Sequence, residues 1–154
     1  MRSGEGYTRD ESEAERLDRN FAEQLQELRV AQAGVQILFA FLLTLPFQAR
    51  FPTLDAFQRD VYLVTVVTAA VSTLLFTAPV ALHRVLFREG LKEFIVRYTA
   101  AMMSVGLVAL ALTILGGTVL VLDVLLSGGA ALVIGTALAV LALALWLVIP
   151  LRHK

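Results

Sequence analysis

Between Arg29 and Arg50 the chain carries no ionisable side chain, and the residues just before that run have the pattern of an amphipathic helix. Ala14, Leu17, Phe21, Leu25 and Leu28 recur at helical spacing on a charged background, with no Gly-Pro punctuation before the apolar stretch. A helix needs ~20 predominantly apolar residues to cross ~30 Å of hydrocarbon. One helix is therefore expected to leave the aqueous phase and run on into lipid.

The rest of the chain repeats the apolar theme. Of its 154 residues 58% are hydrophobic and 17% charged, mean hydropathy is +0.76, and the charges fall in blocks between long uncharged runs. This is a membrane composition. The expected fold is all-α: a four-transmembrane-helix bundle preceded by an amphipathic N-terminal helix continuous with the first span. Residues 1–11 are polar, glycine-bearing and expected to be disordered, without the apolar core of a cleavable signal peptide, so the first span is expected to act as the insertion signal. Ser12 and Glu15 have capping-box spacing, with Asp10, Glu11 and Glu13 at the same end, so the amphipathic helix is placed at residues 12–29. The membrane domain is residues 30–154, with spans at about 30–47, 61–82, 99–122 and 130–150. Pro46 closes the first, residues 48–60 form a polar loop, and Pro79 predicts a kink or an early end of the second. His83 to Arg97 is read as a basic interfacial turn, and Ser127, Gly128 and Gly129 as a tight turn into the fourth span.

Orientation follows from the basic residues. Eleven of the thirteen lie in the N-terminal segment, the His83–Arg97 segment and the C-terminal tail, leaving Arg50 and Arg59 on the other side. The positive-inside rule then predicts a multi-pass protein of the cytoplasmic membrane with both termini cytoplasmic. Thirteen acidic residues balance the thirteen basic ones, so no net field recruits nucleic acid. Zero cysteines exclude disulfides and thiolate chemistry.

Small and polar residues recur at steps of four: Gln32, Gln36, Ala40 and Thr44; Thr65, Ala69, Thr73 and Thr77; Ala101, Ala109, Thr113 and Gly117, with Val105 breaking the step; and Ala131, Gly135 and Ala139. Such stripes allow close helix approach in lipid, although a chain this rich in small residues yields some by chance. Gln32, Gln36 and Thr44 are the candidate intramembrane polar contacts, as glue between helices or as the lining of a polar path. Asp123, at the outer end of the third span, is read as a turn carboxylate or as an external cation site. On the cytoplasmic side Glu23 and Glu27 make an acidic surface, and Arg84, Arg88 and Lys92 repeat every four residues as a basic one. Like charges at that spacing repel, so a counter-surface is expected, either the N-terminal helix or anionic lipid.

No phosphate loop, paired catalytic carboxylates or nucleophile elbow is present, and His83 and His153 have no ligand-spaced partners. The expectation is a protein without enzymatic activity, cofactor or metal. Trp146 reads as an interfacial anchor.

The segment from Glu15 to Phe47, followed by FQRDVYLVT and APVALHRVLFREG, resembles a family of small four-span membrane proteins of unknown function from actinobacteria. Some members are labelled sodium:proton antiporter, so the resemblance implies a small oligomeric ion transporter or channel as the alternative. The first reading is a structural or interaction protein of the membrane, possible homo-oligomer included.

Overall fold

The computed structural model describes residues 12–86, 91–126 and 129–152. The expected disorder of residues 1–11, the Arg88 member of the basic surface, and the Ser127 and Gly128 part of the last turn lie outside them. Helix α1 spans Glu13–Thr44, α2 Ala56–Leu86, α3 Lys92–Leu125 and α4 Ala130–Leu143. A π-helical turn, Ala144–Val148, and a short helix α5, Ile149–Arg152, continue α4. No strand occurs among the described residues.

Helix α1 starts where its cap dictates. The Glu15 N–H donates to Ser12 Oγ at 3.3 Å and the Ser12 N–H to Glu15 Oε2 at 2.9 Å, so two otherwise unpaired donors are satisfied reciprocally. Its 32 residues extend about 48 Å, more than the hydrocarbon needs, and the charged first half is one continuous rod with the apolar half. Helix α2 begins within the segment read as a loop. The Gln58 N–H donates to Asp55 Oδ1 at 2.8 Å and the Asp55 N–H to Gln58 Oε1 at 3.2 Å, an Asp-x-x-Gln version of the same reciprocal cap. Nor does α2 end at Pro79, which is buried inside it. The turn that proline opens is covered by neighbouring helices, which is how membrane helices tolerate it. Helices α2 and α3 also consume most of the His83–Arg97 turn, leaving residues 87–91 between them.

The most extensive pairing is α2 against α3, α1 packs on both, and α4 packs on α3 without touching α1. Buried residues on α2 are Tyr62, Thr65, Ala69, Ser72, Phe76 and Pro79, alternating by three and four. On α1 they are Leu28, Val35 and Leu42, seven apart. This 3.5-residue period belongs to left-handed bundles. It corrects the four-residue stripes, because four residues advance about 40° beyond a full turn and such a stripe wraps away from a straight neighbour. On short α4 the stripe survives, with Ala131 and Gly135 buried.

Glycine sets how closely two pairs approach. A Cβ on Gly106 of α3 would stand 2.5 Å from the Phe76 ring, and one on Gly135 of α4 would stand 2.5 Å from Val119 Cγ2. Elsewhere the surface is apolar: Ile37 is 74%, Leu74 68% and Val133 72% exposed, and such a surface suits lipid. Three helices, covering Glu15–Phe47, Ala56–Leu86 and Lys92–Leu125, are long and apolar enough to cross a membrane, and a shorter apolar helix covers Ala130–Trp146. The protein is a membrane-type helical bundle.

Candidate functional site

Three layers of polar contacts run down the bundle, and the middle layer lies at membrane depth. Ser72 Oγ donates to the Gly106 carbonyl at 2.9 Å across the α2–α3 seam. The Thr113 hydroxyl donates either to Thr68 Oγ1 at 3.0 Å or to its own helix at Ala109 O, 2.9 Å away. Thr65 bonds back to Val61 O at 2.6 Å. Tyr62 Oη donates to the Leu42 carbonyl at 3.1 Å, serving an end-of-helix acceptor on α1. One α1 amide joins this layer: Gln32 Nε2 donates to the Phe76 carbonyl at 3.4 Å. Apart from Thr65, which bonds within α2, these groups hold helices to one another, and each is consumed by a backbone acceptor or by another hydroxyl.

At the end of the bundle where α2 starts and α3 stops, Gln58 Nε2 donates to Asp123 Oδ2 at 3.0 Å. The same glutamine caps α2, so one side chain fastens the start of α2 to the end of α3. No group of three or more potential ligand side chains that could hold a metal occurs among the described residues.

The layer at the opposite end of the bundle is built by the charged half of α1. Lys92 Nζ meets Asp18 at 2.8 Å and 3.0 Å through its two carboxylate oxygens, joining α1 to the first turn of α3. Phe21 lies against His83 of α2 with ring centroids 5.0 Å apart. Between these contacts is a mainly apolar cleft of about 290 Å³, lined by Leu17, Phe21, His83, Leu86, Leu91 and Ile95, with the ion pair at its edge. The Ser12 hydroxyl and backbone N–H bonded to Glu15 hold its carboxyl below the usual glutamate range.

Comparison with known proteins places this architecture. The profile of a family of unknown function, DUF6328, matches residues 10–150, nearly the whole chain. The chain belongs to the DUF6328 family. No curated protein and no solved structure matches it.

In this DUF6328 chain the residues singled out from sequence fall in different places. Gln32 and Gln36 do not share a contact: Gln32 reaches α2, whereas Gln36 is exposed and makes no hydrogen bond among the described residues. Thr44 is also exposed, its hydroxyl bonded to Phe41 O of its own helix at 2.7 Å. Glu23 pairs within α1, with Arg19 at 3.2 Å, and Glu27 and Arg84 are exposed. The acid that meets the basic segment is Asp18, one turn before the pair expected. Sequence reading passed over Tyr62, Ser72 and Gln58, because a lone hydroxyl or amide carries no spacing signal. The Asp55-x-x-Gln58 cap was legible and could have extended α2.

Proposed function

We propose that this DUF6328 protein is a non-enzymatic structural or interaction protein of the cytoplasmic membrane, crossing it four times with both termini cytoplasmic. The contact that carries the reading is Lys92 with Asp18. It ties the amphipathic half of α1 to the base of α3, so that segment stands as part of a three-helix cytoplasmic extension and does not lie along the bilayer. The extension offers an apolar cleft with a charged edge, suited to a partner in the cytoplasm. Exposed Arg84 and Arg97 stand on the same side to meet anionic headgroups, worth ~1 kcal/mol per basic residue near the surface.

A fourth crossing rests on continuity. Residues 130–152 run on as helix through the π turn, about 34 Å at helical rise. Trp146, near the inner end and 45% exposed, is placed to anchor at the interface.

The transporter reading asks the seam hydroxyls and Asp123 to exchange partners with a moving ion. Their engagement with Gly106, Thr68 and Gln58 favours a static role. Proton and sodium flux into liposomes holding purified protein tests the choice. The structural reading expects flux equal to that of protein-free vesicles. Flux that disappears in Asp123→Asn would establish the transporter.

A further inference from the structure

Among the described residues, the hydroxyls on the lipid-facing surface satisfy themselves within their own helices. The exposed hydroxyls of Thr44, Ser104, Thr118 and Thr136 fold back on carbonyls of their own helices at 2.7 Å, 2.9 Å, 2.7 Å and 2.7 Å. Gln36 does not, and an amide with two donors and an acceptor cannot be served by one spare carbonyl lone pair. Its depth makes this costly. Gln32 stands opposite Phe76 and Leu42 opposite Tyr62, which sets Gln36 level with the stretch from Thr68 to Ser72, near the middle of α2 between Asp60 and Arg84. Lipid tails offer that amide nothing, and neither does water at this level.

The surroundings of Gln36 suit a protein partner. Ala33 and Ala40, about one turn below and above it, are exposed and small, so a second helix can approach until backbones nearly touch. The groove between α1, α3 and the π turn, lined by Val30, Gly34, Leu38, Leu110 and Trp146, opens on another flank of α1 and leaves this face clear.

We propose that two copies of this chain pair through α1, with the Gln36 amide of each copy bonded to that of the other. Symmetry selects this partner. A twofold axis along the bilayer normal keeps both copies in the same topology and brings each residue opposite its counterpart at the same depth. A primary amide is its own complement, since its N–H donates to an identical carbonyl while its carbonyl accepts in return. The inference rests on α1 being a span and is independent of whether the bundle is a scaffold or a transporter.

The chain has no cysteine, so single substitutions report proximity cleanly. Full-length Ala33→Cys, Ala40→Cys and Val133→Cys proteins are placed in liposomes and oxidised with copper phenanthroline, after flotation and alkaline extraction confirm insertion. The expected result is dimer at positions 33 and 40 and monomer at Val133, an equally lipid-exposed site on α4. Adding Gln36→Leu to Ala40→Cys removes both reciprocal bonds and should weaken association by at least roughly three- to thirtyfold, the range for a single interhelical hydrogen bond in lipid, while Gln36→Asn retains most of it. Inserted protein that cross-links equally at Val133, stays monomeric at all three positions, or is indifferent to Gln36→Leu would overturn the pairing. Dimer fraction measured by energy transfer between labelled copies of the cysteine-bearing proteins, without oxidant, must give the same order.

Discussion

The side-chain amide of Gln32 reaches across from α1 to the main-chain carbonyl of Phe76, three residues before the buried Pro79. A proline withholds the N–H that the carbonyl four residues earlier, here Leu75, would accept, and its ring opens that turn of α2. The glutamine thus delivers a donor to the one stretch of α2 where the helix serves itself least well. At 3.4 Å the bond is long, so Gln32→Leu is expected to lower stability by about 0.5 to 1 kcal/mol, near the mean for membrane hydrogen bonds. In a Pro79→Ala background the same change should cost less. Unfolding of the four proteins in mixed micelles checks the cycle, and equal costs in both backgrounds would uncouple the two residues.

Among the described residues, Gly106 and Gly116 are the two points where a Cβ on α3 would collide with α2, at Phe76 and at Thr65 respectively. A Cβ on Gly106 would stand 2.5 Å from the Phe76 ring, at the residue whose carbonyl accepts from Ser72. Gly106→Ala should therefore destabilise by about 1 to 3 kcal/mol, the usual cost of overpacking. Pairing it with Phe76→Leu should recover part of the loss, and no recovery in the same unfolding assay would mean that the backbone approach, not the ring, is the obstacle.

The Lys92–Asp18 pair is more than half exposed on both sides, so its energetic weight is small and its effect is positional. Asp18→Lys is expected to cost no more than about 0.5 kcal/mol, yet to expose α1 to protease. Restoring opposite charges with Lys92→Asp should return protection. Reversing Glu23 should do less, because its partner Arg19 lies on the same helix. Protection should also fall in high salt, which screens exposed pairs.

The start of α1 should respond to acid. The Glu15 carboxyl is held below its usual range by bonds from Ser12, so the folded state binds that proton less readily than the unfolded one. Its contribution to the cap is present above the ordinary glutamate range and is lost as pH falls through the lowered value. Amide protection in the first turn of α1, taken relative to the intrinsic exchange rate at each pH, should drop there, and Ser12→Ala should lower protection at neutral pH and flatten the acid response. Unchanged protection down to pH 3, about a unit below ordinary glutamate values, would contradict the cap.

The membrane character, the helical class and the continuity of α1 across the water boundary were determined by sequence alone. Transfer to hydrocarbon depends on which side chains a segment carries, and a helix of sufficient apolar length pairs its backbone groups within the one segment. The cap at Ser12 was equally legible, because capping is local. What the tertiary structure decided was the facing of each helix. In a soluble helix the polar side marks the outside, but in lipid both sides are apolar, so the hydrophobic pattern of α1 beyond Arg29 holds no mark of its seam. Only packing shows that Val35 turns inward and Gln36 outward, that Ser72 and Gly106 meet, and that Asp18 answers Lys92. Each of those pairs joins residues far apart in the chain, at a helical rotation set by the fit of neighbouring surfaces, and no spacing within one segment encodes that rotation.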